Sequence, residues 1–182
     1  PIDNFLWARG DFSTSYNGGP KFAPGGYLAD YWTEESLKVI EANKNQPFFL
    51  YLAHWGVHTP LQATKEDYDA VGDIAPHHLR VYAAMLRALD RSVGQIVAKL
   101  EEEGLAENTI IVFSSDNGGA GYIDLPGIND PYRGWKLTLF EGGIRVPMFV
   151  SWPAKIPAGV KVDTPVAHID VTPTLADAAG AA

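Results

Sequence analysis

An α/β architecture, with helices flanking a mostly parallel sheet, is predicted by three features of this sequence. Three short apolar runs, at residues 48–53, 109–114 and 147–151, have the length and unbroken hydrophobicity of strands buried on both faces. A long amphipathic stretch, residues 79–100, stands between the first two runs, as a crossover helix does in a strand–helix–strand unit. The first two runs also hand over abruptly to polar residues, and ligands of open α/β sheets sit where strands end at their carboxyl edge.

Composition narrows the function classes. The 182 residues suffice for one domain with a sizeable core, or for part of a larger one. A content of 46% apolar and 20% charged residues is ordinary for a globular chain. No apolar run approaches the ~20 residues that span a bilayer. A net charge of −8 argues against a nucleic-acid or membrane-surface binder, while leaving room for a small anionic substrate held by a few local cations. Without cysteine there is neither a disulfide framework nor a thiolate metal site. The chain starts at Pro1 with no leader, and its last residues read as a helix cut soon after Gly180, so both ends are expected to be edges of a fragment.

In chain order, residues 1–32 are loop-rich, with Gly18, Gly19 and Pro20 followed by Pro24, Gly25 and Gly26. Loops of that length in compact domains are often functional. Thr33 reads as an N-cap, with Glu34 and Glu35 in the first turn and Leu37 and Ile40 on a buried face. The strand at 48–53 follows Pro47 and leads to His54, His58, Thr59 and Pro60, the proline pushing Thr59 out of helical geometry. An imidazole at 58 could bond an anion or protonate a leaving group, although each histidine taken singly reads as structural.

The helix at 79–100 carries its apolar stripe on Tyr82, Met85, Leu86, Leu89, Val93, Ile96, Val97 and Leu100. Arg80, Arg87, Arg91 and Lys99 read as a solvated face, and Gly104 as the helix stop. The strand at 109–114 ends at Ser115, Asp116, Asn117, Gly118 and Gly119. A carboxylate beside an amide oxygen suits a hard cation such as Ca²⁺ or Mg²⁺, and equally an ordinary Asp-Asn-Gly turn. After a loop at 120–132, Lys136 reads on its own as a surface cation, and the pair Gly142-Gly143 permits a sharp bend or a close approach. A third strand at 147–151 and a final helix with Pro173 in its first turn complete the chain.

Taken together, these motifs resemble the sulfatases of the alkaline phosphatase superfamily. The matching pieces are residues 47–52, the His58-Thr59-Pro60 loop, 114–118, and Gly134-Trp135-Lys136 through 141–147, followed by His168, Ile169 and Asp170 with 173–175. The likeness runs from about residue 30 to the end, in family order. It implies an alkaline-phosphatase-like fold and a sulfuric ester hydrolase acting on small-molecule or saccharide sulfate esters. It further implies that Asp116 and Asn117 bind one divalent cation (Ca²⁺ ahead of Mg²⁺), that His58 contacts the ester and helps its leaving oxygen, and that Lys136 binds the sulfate. His168 and Asp170 stand as structural candidates.

One departure is large. The family's nucleophile is a formylglycine made within a Cys/Ser-x-Pro-x-Arg motif, and this sequence has none. The expectation is therefore that residues 1–182 are the later part of a single catalytic domain, inactive without the nucleophile-bearing part. A phosphodiesterase or phosphonate hydrolase of the same superfamily is the runner-up; such relatives often carry His where Asn117 stands. A non-catalytic fragment or pseudoenzyme is the third reading. A periplasmic, extracellular or lysosomal-type compartment is suggested by the resemblance only.

Overall fold

The computed structural model describes residues 14–181, so the first part of the loop-rich segment lies outside the described residues. From there the chain runs through α1 (Leu28–Asn43), α2 (Lys65–Ala70), α3 (His77–Glu102), β1 (Ile111–Ser114), the single turn α4 (Glu141–Ile144), β2 (Met148–Ser151) and α5 (Val171–Ala178). Short 3₁₀ turns lie at Ala106–Asn108, Gly121–Ile123 and His168–Asp170.

The long helix is the spine. It buries Met85 and Leu100 of the predicted stripe together with Ala84 and Ala88, while Leu86 of that stripe is exposed, and α1 packs across it with Ile40 in the same core. It stops as predicted at Gly104, whose φ of 69° is the left-handed conformation glycine adopts without a Cβ penalty. There Leu105 N–H reaches back to the Leu100 carbonyl at 2.8 Å.

Two features of the helices depart from expectation. Helix α1 begins at Leu28, one full turn before Thr33. Thr33 is not a cap but a buried residue whose hydroxyl donates to the Ala29 carbonyl at 2.7 Å and faces α3. Nor is the arginine face of α3 simply solvated. Arg87 and Arg91 both pair with the carboxylate of Asp67 on α2, whose side chain has no exposed surface. Arg91 also reaches Asp30 of α1 at 2.9 Å. Arg80 lies 3.9 Å from the centre of the Tyr68 ring, and Lys99 binds Glu41 and Glu103. Thr64 caps α2 by accepting from Asp67 N–H at 3.0 Å and donating to Asp67 Oδ2 at 2.8 Å.

The sheet is smaller than expected and runs the other way. β1 and β2 pair antiparallel, with Val112 opposite Val150 and Phe113 opposite Phe149, their rings 6.2 Å apart. Residues 48–53 form no strand among the described residues. They keep a two-residue alternation, Phe49 and Tyr51 being 77% and 80% exposed while Phe48, Leu50 and Leu52 are half-buried. The physical reason is that composition confers the side-chain pattern of a strand, whereas a strand exists only where a neighbour completes its hydrogen-bond ladder.

Candidate active site

Beyond β1 the chain is knotted by glycines. Gly118 N–H donates to the Gly143 carbonyl at 3.0 Å, and a Cβ at position 118 would lie 1.8 Å from the Gly142 carbonyl oxygen. Gly142 and Gly143 are themselves buried, and Gly142 N–H donates to the Arg133 carbonyl at 2.8 Å. Asn129 ties the loop together. Its Oδ1 accepts from Gly119 N–H at 2.8 Å, and its Nδ2 donates to the Gly119 and Gly134 carbonyls at 3.0 and 3.3 Å. Nothing in the sequence singled out Asn129, because an asparagine in a polar loop carries no pattern of its own.

This knot places Lys136. Its backbone N–H donates to the Gly119 carbonyl at 3.1 Å, two residues beyond Asn117. Its ammonium lies 3.0 Å from Nε2 of His58, a residue 78 positions earlier in the chain. Leu137, next to Lys136, is held at φ 80° with its side chain 81% exposed, a backbone strain of the kind that collects at functional sites.

His58 sits at the end of a turn in which its N–H donates to the Trp55 carbonyl at 2.8 Å. Its Nδ1 lies 2.8 Å from the Thr59 carbonyl. A carbonyl only accepts, so Nδ1 carries the hydrogen; an ammonium only donates, so Nε2 presents its lone pair to Lys136. The tautomer of His58 is thus set from both sides.

Asp116 is exposed and Asn117 half-buried, and neither side chain has a hydrogen-bond or ion-pair partner among the described residues. Ser115 Oγ donates to the Asn117 carbonyl at 2.9 Å, fixing the turn. An unengaged carboxylate and amide oxygen at the end of a strand fit the donor chemistry of a hard cation. Among the described residues no group of three or more histidines or acids is gathered that could hold a metal ion. The structure therefore brings His58 and Lys136 together through their side chains, and brings Lys136 to the Asp116-Asn117 turn through the backbone.

The remaining candidates are structural. His168 Nε2 lies 3.2 Å from Ser114 Oγ, which itself donates to the Pro147 carbonyl at 3.1 Å, so His168 latches the entry of α5 to the end of β1. Asp170 Oδ2 accepts from Ala167 N–H at 2.7 Å and closes that turn.

Comparison with known proteins gives a consistent result. The model of the Sulfatase family matches residues 3–181. Human steryl-sulfatase is 40% identical over 161 residues, a match covering 85% of this chain and 26% of that protein. The crystal structure of Ps i-CgsB in complex with k-i-k-neocarrahexaose matches with a TM-score of 0.85 at 39% identity, covering 91% of this chain and 37% of that one. PsFucS1 sulfatase from Pseudoalteromonas sp. matches with a TM-score of 0.62 at 28% identity, covering 81% and 30%. The chain spans about a quarter of the length of the curated relatives it matches.

Proposed function

The chain belongs to the sulfatase family, and on that footing we propose that it is the later part of a catalytic domain whose complete form hydrolyses sulfate monoesters. The fold agrees, being the α/β, alkaline-phosphatase-like architecture of its structural neighbours. The observation that carries the proposal is the 3.0 Å approach of the Lys136 ammonium to His58 Nε2 beside the Asp116-Asn117 turn.

Each residue then has a task. Lys136 turns its ammonium from the imidazole lone pair to a sulfate oxygen of the bound ester, a charge-assisted bond of about 1.5–3 kcal/mol. His58, oriented by the Thr59 carbonyl, faces the bridging ester oxygen with Nε2. Protonated there, it delivers that proton as the sulfur–oxygen bond breaks, so that the organic part departs as a neutral alcohol or phenol. Asp116 and Asn117 would contribute oxygen ligands to a divalent cation, Ca²⁺ ahead of Mg²⁺, with further ligands from the rest of the domain, and such a cation would supply positive charge to offset that of the sulfate head group. The formylglycine nucleophile belongs to the part of the domain outside this chain. The substrate class is a sulfate monoester of a small molecule or a saccharide.

The test is release of 4-nitrophenol from 4-nitrophenyl sulfate by the complete protein and by the 182-residue chain, with and without Ca²⁺. Turnover by the complete protein alone, lowered about 10- to 100-fold by Lys136→Ala, is the expected result. Turnover indifferent to both Lys136→Ala and His58→Ala would remove these residues from the site.

A further inference from the structure

Four residues before His58, a second histidine is tied to the helical core. His54 Nε2 lies 3.0 Å from Ser92 Oγ on α3, and Ser92 Oγ lies 2.6 Å from Thr33 Oγ1 on α1. Both hydroxyl residues are buried, at 2% exposure each. The hydrogens can be assigned. The Ala29 carbonyl only accepts, so the single hydroxyl hydrogen of Thr33 is committed to it. Ser92 must then donate to Thr33, and His54 must supply the hydrogen between Nε2 and Ser92. Burial holds the His54 pKa below the usual range, so the ring is neutral and Nε2–H is its only N–H donor. His54 Nδ1 is buried with no partner among the described residues.

We propose that His54 is a positioning residue for His58, pinning the turn that presents His58 to Lys136 onto α1 and α3 through Ser92 and Thr33. The mechanical link is short. Trp55 follows His54 directly, and its carbonyl accepts from His58 N–H at 2.8 Å, so the anchor and the functional imidazole belong to one closed turn. The His54–Ser92 bond steadies this turn from the helical side. Loss of the bond lets the turn shift, and small displacements of an acid relative to the oxygen it protonates are costly in rate.

The inference rests on the sulfatase reading, and leaving-group dependence separates the two. In the complete protein, turnover of phenyl sulfate is compared with that of 4-nitrophenyl sulfate, whose phenoxide leaves without help. His58→Ala is expected to depress phenyl sulfate turnover at least about 10-fold more than that of the nitrophenyl ester. His54→Ala and Ser92→Ala are expected to tilt the ratio the same way by about 3- to 10-fold, through kcat with KM nearly unchanged. His54→Gln, whose amide nitrogen can donate from a similar reach, is expected to restore most of the loss. A fall equal for both esters, an unchanged ratio, or a Gln variant no better than Ala would overturn the positioning role. If His58→Ala itself leaves the ratio flat, the acid role of His58 fails on its own. The anchoring claim is then decided by ¹⁵N-histidine spectra of the same variants. Loss of the single Nδ1–H tautomer at His58 in His54→Ala or Ser92→Ala, with the tautomer retained in His54→Gln, supports it, and an unaltered spectrum in both alanine variants overturns it.

Discussion

Replacing Asp67 by alanine tests whether the clamp between the three helices contributes what its geometry indicates. The carboxylate is fully buried and receives bonds from Arg87 and Arg91, whose side chains are 41% and 30% exposed. A hydrogen bond to a charged group contributes about 1.5–3 kcal/mol. Both arginines can regain water when the acid is lost, so the lower figure applies to each, and the total is about 3 kcal/mol. That is a factor of about 150 in the folding equilibrium, read as a lower urea midpoint at pH 7 with an unchanged m-value. The pH dependence adds a signature. Burial alone would raise the Asp67 carboxyl, but bonds from Arg91, Thr64 and Arg87 outweigh it and hold its pKa below the ordinary value. The stabilisation is therefore fully present above the unfolded pKa of about 3.9 and is lost as pH falls through the lower folded value. The gap between wild type and Asp67→Ala should stay constant from about pH 7 to 5 and close only in the acid limb. A difference below about 1 kcal/mol at pH 7 would mean that desolvation cancels the pairing, and the reasoning would be refuted.

Other expectations concern the site and the surface. Gly118→Ala drives a methyl group into the Gly142 carbonyl, and because that neighbour is backbone the variant should lose about 1–3 kcal/mol or more in thermal unfolding; a melting temperature within a degree or two of wild type would contradict the close approach. Histidine ¹⁵N spectra of the wild type should show opposite neutral tautomers, hydrogen on Nε2 of His54 and on Nδ1 of His58, and a shared tautomer would break one of the two assignments. Hydrogen bonds from Lys44 and Lys99 hold the Glu41 carboxyl down to about 2, so its ¹³C titration should have a midpoint well below that of an ordinary glutamate, moving upward in Lys99→Ala. That depressed value favours the folded state above the ordinary carboxylate pKa and ceases to do so as pH falls toward 2.

What the sequence disclosed follows the reach of each signal. Helix α3 was legible within two residues at either end, because a stripe repeated over about five turns is hard to mistake and Gly104 marks its stop. Strand β1 and the turn after it were legible from one apolar run ending in Asp116 and Asn117. The direction of pairing was not, since side-chain pattern is the same in parallel and antiparallel ladders. Thr33 was misread because a threonine ahead of two glutamates suits a cap, while its true partners, Ala29 and Ser92, lie inside its own helix and 59 residues away. The charges of α3 were misjudged for a similar reason: an arginine face looks solvated until Asp67 is brought against it. His58 and Lys136 were identified through resemblance, and their contact spans a separation no local pattern encodes.

The glycine knot has a consequence for how such a site can adapt. With Gly118 seated on Gly142 and Gly143, and Lys136 bonded to Gly119, the Asp116-Asn117 turn and Lys136 share one stiff frame. Neither can be re-aimed without the other. The His58 turn belongs to a separate frame, built on the helices, and meets the first through the contact between ammonium and imidazole. The spacing between Lys136 and the Asp116-Asn117 turn is therefore set within one frame, whereas the spacing between Lys136 and His58 is set between two.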